Sequence, residues 1–216
     1  MDIQYMIEII PRIAVYLPVT ILMAIGAMVI ALFLGIGLTY LYNKKWTRWL
    51  VDIYLLVFRG FPTIVILFVI YFGIPQLIGF GSGWSATLVS TIALGLKQAA
   101  YSVEVFRSSL SSINLGQLEA GLAIGLTPSQ TYRRIIIPQA IQIMIPPLGN
   151  NFIGLLKETS LAFSIGVTEI FGEGKMIASQ NFRYFEVYFI VGILYVLIIY
   201  VYSIFQEFLE EQFRRY

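Results

Sequence analysis

The chain has 216 residues, 58% of them hydrophobic and only 12% charged, with a mean hydropathy of +0.82. A soluble globule carries about a quarter of its residues charged, so this composition argues for a membrane protein. The net charge of +2 is too small for nucleic acid, and a chain with no cysteine and no histidine has no thiolate site and lacks the commonest metal ligand and general base; no metal site is expected.

The first fifteen residues hold Asp2, Glu8, Pro11 and Arg12 without a basic start or a small-residue cleavage site, so no removable signal peptide is expected. Apolar runs long enough to span a bilayer then follow. The first covers 17–41 and is uncharged. A basic, aromatic loop (Lys44, Lys45, Trp46, Arg48, Trp49) leads to a second run at 50–78, interrupted by Arg59-Gly60-Phe61-Pro62. An uncharged turn at 79–84 precedes the third run, 86–113, which holds Lys97, Glu104 and Arg107. A polar island, 115–138, separates it from the fourth run at 140–165, which carries Pro146-Pro147, Asn150, Asn151, Lys157 and Glu158. A polar connection with Glu169, Glu173, Lys175 and Arg183 leads to the fifth run, 185–205, and a charged tail. The fold expected is an all-α polytopic membrane protein with five core helices, forming one domain over 1–216 without repeats.

Cations set the orientation. Lys44, Lys45, Arg48, Arg133, Arg134, Arg214 and Arg215 fall on one side, and Arg12, Lys175 and Arg183 on the other. The first side is therefore expected in the cytoplasm with the C-terminus, and the N-terminus outside.

Ionisable groups at membrane depth are costly unless paired or wet, and each is by default a functional candidate. Lys97, Tyr101 and Glu104 fall on one helical face with Gln98 nearby, a face suited to a polar cavity; Glu104 and Arg107 at i, i+3 also suit a simple pair. In the fourth run Asn150 and Lys157 make one row, Asn151 and Glu158 the next, with Ser160 beyond. Pro146-Pro147 suggests a broken helix lining that cavity. At Arg59-Gly60-Phe61-Pro62, proline predicts a kink and Gly60 a close approach of a neighbour, for packing or for a gate.

The island has the chemistry of a docking surface. After Glu119, Ala120, Gly121, Ala123 and Gly125 form a small-residue helical patch, Gly125 can end the helix, and Thr127 can cap a second helix with Pro128 in its first position. The return would close at Pro138. An amphipathic segment on the membrane surface is the other reading. No hydrolytic constellation is present: Gly172-Glu173-Gly174-Lys175-Met176 lacks the first glycine and the Ser/Thr of a phosphate-binding loop. An enzyme is not expected.

These residues resemble the EAA motif of ABC-importer permeases: Glu119-Ala120-Gly121, Gly125, Ile135 and Pro138 stand at its spacing, with Gly121 for its second alanine. Phe58-Arg59-Gly60-Phe61-Pro62, Ala100-Tyr101-Ser102-Val103-Glu104-Val105-Phe106-Arg107, Pro138-Gln139-Ala140 and Lys157-Glu158-Thr159-Ser160-Leu161 resemble segments of the polar amino-acid (histidine/arginine/glutamine) branch, so the likeness covers nearly the whole chain. The resemblance implies a type I importer transmembrane domain in a prokaryotic cell membrane. It also implies a second permease subunit, a homodimer being favoured over a heterodimer, and an extracellular amino-acid-binding protein. A cytoplasmic ABC ATPase dimer would bind the ATP and Mg, leaving this chain without a cofactor. Glu119, Ala120, Gly121, Gly125, Thr127 and Pro138 would couple to that ATPase; Gln98, Tyr101, Glu104, Asn150, Asn151, Lys157, Glu158 and Ser160 would receive the cargo. Asn151 stands where such permeases often carry an acid, which weighs against a simple arginine or lysine assignment, although Glu104 and Glu158 keep basic amino acids open. Other readings are an importer permease for methionine or an osmolyte, and a stand-alone secondary carrier; the carrier should show inverted repeats and need no docking surface.

Overall fold

A computed structural model describes residues 2–81 and 83–214, with the backbone alone for Arg214. Ser82 of the expected turn, Arg215 and the side chain of Arg214 lie outside the described residues. Every regular element among the described residues is helical.

The chain opens with a helix the run analysis did not anticipate, α1 (Ile3–Ala14). Asp2 caps it by accepting from the Tyr5 amide at 3.1 Å. Met6, Ile9 and Ile13 recur at helical spacing and are buried, while Ile3, Ile7 and Ile10 face outward. Helix α2 (Leu17–Tyr42) is apolar all round, so hydropathy alone does not say which face is internal. Its buried stripe is Thr20, Met23, Ala24, Ala27, Ala31, Gly35 and Thr39, mostly small residues, and Leu22, Phe33 and Ile36 point outward.

The expected second run is two arms, bent by 110° between Gly60 and Thr63. Helix α3 (Arg48–Gly60) ends there, because Phe61 and Pro62 adopt extended backbone and proline cannot donate to the preceding turn. The second arm comprises α4 (Thr63–Phe68), a π turn at Val69–Gly73 and α5 (Ile74–Ile78). No neighbouring atom lies within 4 Å of the Cβ position at Gly60; this glycine does not admit a close neighbour, and the bend follows from the residues after it.

Helix α6 (Ala86–Ser111) is the central element, capped by Ser85, whose hydroxyl accepts from the Leu88 amide at 3.2 Å. It lies along α2 in the same direction, Gly26 facing Thr91 and Gly35 facing Ser102 and Phe106. The separation is set by glycine: a Cβ at Gly95 would sit 2.8 Å from the Ile30 Cβ and 3.0 Å from the Ala27 carbonyl oxygen. Small residues permit this close backbone approach, which supplies the dispersion contacts that hold helices together where lipid removes most of the hydrophobic drive.

After α6 come α7 (Leu115–Ala123), α8 (Pro128–Thr131) and a π turn at Tyr132–Ile136 that leads into α9 (Ile137–Glu158). Pro146 and Pro147 sit inside α9, which remains one helix, so the expected break is not found. Gln206 donates to the Pro146 carbonyl at 3.4 Å, an example of a neighbouring helix serving backbone groups around a proline. A 3-10 segment, Thr159–Ile165, then leads to α10 (Ile170–Asn181) and the long α11 (Tyr184–Arg214).

The expected polar connection is therefore mostly the helix α10. Glu169 caps it, accepting from the Gly172 amide at 2.7 Å, and is wholly buried. It also accepts from the Tyr195 hydroxyl of α11 at 2.8 Å and the Thr20 hydroxyl of α2 at 3.3 Å, so one carboxylate ties three helices. Gly172 and Gly174 are packing glycines: Cβ atoms there would meet Phe163 and the Val167 carbonyl in one case and Val191 in the other. Arg183 donates to Asp2 at 2.7 Å, and its guanidinium lies over the Tyr5 ring, strapping α1 to the α10–α11 corner.

By length and composition, α2 and α11 qualify as membrane-crossing helices among the described residues, and the bent α3–α5 pair adds a third if taken as one span. Helices α6 and α9 are of similar length but polar, and they pack against each other within the bundle.

Two outcomes follow from this packing. Gly95→Leu should destabilise the bundle by about 1–3 kcal/mol through overpacking. Gly37→Ala, with nothing within 4 Å of its Cβ position, should leave thermal unfolding in detergent unchanged or slightly raised. The second concerns the α1 strap. The Tyr5 amide and then the Arg183 guanidinium hold the Asp2 carboxyl below its ordinary value of 3.8. A depressed carboxyl stabilises the fold above the unfolded value and loses that contribution as pH falls through the lower folded value. Arg183→Gln should return the Asp2 titration towards 3.8, as read by carboxyl-resolved NMR.

Candidate functional site: a paired polar pocket and an exposed helical hairpin

Where α6 faces α9, polar side chains converge. Lys97, Gln98 and Tyr101 from α6 and Asn150, Asn151, Gly154 and Glu158 from α9 line a pocket of about 200 Å³. Lys97 is 8% exposed and forms an ion pair with Glu158. Its ammonium also lies 5.4 Å from the centre of the Tyr101 ring, within the range of a cation–π contact. The other Glu158 oxygen, Oε2, has no hydrogen-bond partner, and neither do Nε2 of Gln98 or Nδ2 of Asn151. Buried polar atoms are normally satisfied, and this pocket holds one unmet acceptor and two unmet donors.

The remaining candidates lie elsewhere. Glu104 is not in the pocket. It accepts from Arg59 at 2.9 Å and from Arg107 at 3.4 Å, so the i, i+3 pair exists and is joined by a cation from the bend after α3. Arg107 also stacks on Tyr42, its guanidinium 3.6 Å from the ring centre, and Arg59 lies 5.9 Å from the Tyr101 ring. This cluster clamps the end of α3 to α6. Lys157 and Ser160 face a different groove of about 460 Å³ with Phe171, Tyr188, Val191, Gly192 and Tyr195. Lys157 and Glu158 are adjacent on α9, about 100° apart around its axis, and the orientation of α9 turns Glu158 to the pocket and Lys157 to the other groove.

The second candidate region is a helix–turn–helix. Asn114 caps α7 by accepting from the Gly116 amide at 2.8 Å. The helix ends at Gly125, whose φ of +86° suits glycine, and the Leu126 amide donates back to the Gly121 carbonyl at 3.1 Å. Thr127 and Gln130 form a reciprocal capping box at the start of α8, with Pro128 in its first position. Gly121 is the one buried residue of α7; the Thr131 side chain lies on it so closely that no side chain fits there. Glu119 and Ala120 are exposed, as are the apolar residues Leu115, Leu122 and Ile124. Pro138 does not close the hairpin but lies in the first turn of α9, continuous with α8 through the π turn.

Sequence reasoning missed Glu169 and α1. Glu169 and Gly172 are spaced as a cap and the amide that donates to it, and Asp2 with Met6, Ile9 and Ile13 shows a capped helical stripe.

The described residues thus form an all-helical bundle with a polar seam between α6 and α9 and an exposed helical hairpin, α7–α8. The chain belongs to the family of binding-protein-dependent transport system inner membrane components, whose model matches residues 27–215. It is 48% identical over 211 residues to a probable amino-acid permease protein, YxeN, of Bacillus subtilis (strain 168), covering 97% of this chain and 94% of that protein. A probable amino-acid ABC transporter permease protein, PatM, of Vibrio harveyi is 39% identical over 90% of this chain and 88% of its own. Among solved structures, a crystal structure of an amino acid ABC transporter with histidines superposes with a TM-score of 0.89 at 30% identity, covering 98% of this chain and 99% of that one. The protein is thus a multi-pass membrane permease of an ABC transporter.

The hairpin geometry predicts a local effect. Thr127→Ala removes half the capping box and should cost about 1 kcal/mol. That raises opening of the hairpin about fivefold, read as faster trypsin cleavage at Arg133 and Arg134 with global melting unchanged.

Proposed function

We propose that this chain is the permease subunit of an ATP-driven importer for polar amino acids, acting as a single transmembrane unit over 1–216. The observation that carries the reading is the pocket between α6 and α9, with its ion pair and unmet polar ends, in the same chain as an exposed, rigidly capped hairpin. An amino-acid zwitterion needs donors for its carboxylate and an acceptor for its ammonium. Lys97, Gln98 and Asn151 can donate, Glu158 can accept, and Tyr101 and Asn150 complete the walls. Hydrogen bonding to buried unmet groups is worth more than the same bonds in water and gives strong discrimination against guests that leave them unpaired.

The hairpin suits coupling. Glu119, Ala120 and the apolar Leu122 and Ile124 would enter a groove of a cytoplasmic ABC ATPase; Gly121, Gly125 and Thr127 hold its shape, and Pro138 begins the helix that carries Asn151 and Glu158. ATP and Mg would bind that separate ATPase. Two permease subunits, a homodimer by preference, would enclose one path, with an extracellular binding protein delivering cargo. The cation distribution supports an outside N-terminus and a cytoplasmic C-terminus. Arg59, held by Glu104 beside Gly60 and the bend that Phe61 and Pro62 make, is placed to act at a gate when α3 moves against α6.

The test separates the two regions. In proteoliposomes with its ATPase and binding protein, Gly125→Val should abolish uptake while leaving membrane insertion and cargo binding intact, since valine is strained at this φ. Asn151→Ala should instead weaken cargo binding by about tenfold while leaving ATPase association intact. Normal uptake by the first variant removes the coupling role, and unchanged cargo affinity in the second removes the pocket.

A further inference from the structure

We propose that the Lys97–Glu158 ion pair is a latch between α6 and α9 that cargo opens by exchanging ions with it, and that the exchange selects amino acids with uncharged side chains. This rests on the pocket being the cargo site. The lining holds two charges, opposite in sign and paired with each other. A zwitterion also brings one of each. Its α-carboxylate takes the Lys97 ammonium, its α-ammonium takes Glu158, and the single internal pair becomes two pairs with no change in net charge. Oε2 of Glu158, which has no partner, is the first landing point for the ammonium, and the unpartnered amide groups of Gln98 and Asn151 meet the carboxylate or a polar side chain.

A third charge has no counterpart. A basic side chain would bring a second cation beside the 8%-exposed Lys97, and an acidic one a second anion beside Glu158. The nearby carboxylate is not free to compensate, because Glu104 is already held between Arg59 and Arg107. Unpaired charge in a poorly hydrated site is disfavoured whichever its sign, so selection arises from charge balance as well as from shape.

The exchange also has a mechanical side. The pair is a direct charge bond between α6 and α9, and α9 begins where the π turn after α8 ends. Breaking the direct bond and replacing it with one routed through the guest changes what holds α9, the helix continuous with the hairpin.

The test measures equilibrium binding of labelled glutamine, arginine and glutamate to the detergent-purified permease–ATPase complex without the binding protein. The native complex should prefer glutamine over both others. Lys97→Gln leaves the lining with net negative charge and should shift the arginine-to-glutamine ratio upward by about tenfold or more; Glu158→Gln should shift the glutamate-to-glutamine ratio likewise. The double variant Lys97→Gln with Glu158→Gln has no net charge and should keep the glutamine preference at reduced affinity, so loss of one single variant through misfolding leaves two arms. A native preference for arginine, or single variants that lower all three affinities without altering the ratios, overturns the exchange. Both results differ from failure of the site itself, in which Asn151→Ala leaves every affinity unchanged.

Discussion

Helix α6 carries a buried Lys97 and, further along, the part-exposed Glu104 and Arg107, and a charge inside the bundle has to meet an opposite one. That requirement organises the molecule. It fixes the rotation of α6, so that Lys97 faces Glu158 on α9 and Glu104 faces Arg59 at the bend after α3. The opposite face of α6 is then left for α2, and because lipid provides little drive for helix association, that contact has to be made by close approach. Gly26, Gly35 and Gly95 make it possible. The small-residue seam and the charge pairs are thus two halves of one solution: one side of α6 is locked by shape, the other by charge.

The same logic separates tasks along the chain. The pocket side chains sit on two long helices, where packing holds them in place. The hairpin has almost no buried apolar surface of its own and relies on local devices: the Asn114 cap, the left-handed Gly125, the Thr127–Gln130 box and the seat of Thr131 on Gly121. Such an element keeps its own shape, and through the π turn it is continuous with α9 of the bundle. The fully buried Glu169 serves neither task; it joins α2, α10 and α11 through Thr20, Gly172 and Tyr195.

Much of this was legible in the residues because the signals were local. Hydropathy located the starts of the long helices within three residues, although α11 runs to Arg214 and α9 gives way to a 3-10 segment at Thr159, and glycine, proline and cap chemistry located the hairpin. Arg59-Gly60-Phe61-Pro62 marked the bend, though its cause lies in Phe61 and Pro62 rather than in a neighbour at Gly60. The losses came where the answer depended on tertiary partners. Glu104 looked equally suited to a cavity and to an ion pair, and only the position of Arg59 decides between them. Lys157 and Glu158 are adjacent in sequence but face different grooves. Pro146-Pro147 read as a break, yet α9 continues through both prolines, with the Gln206 amide of α11 reaching the Pro146 carbonyl. The short α1 fell below the length at which an apolar run stands out, although its cap and stripe were present.

The proposed cargo site is the α6–α9 pocket and no other groove of this chain. The absence of cysteine makes a direct measurement possible. Single Asn151→Cys and Lys157→Cys variants, reconstituted with the ATPase, would be labelled with a small water-soluble thiol reagent with and without saturating glutamine. Glutamine is expected to slow labelling at position 151 and to leave position 157 unaffected. Protection at 157 with none at 151 would contradict this placement of the cargo.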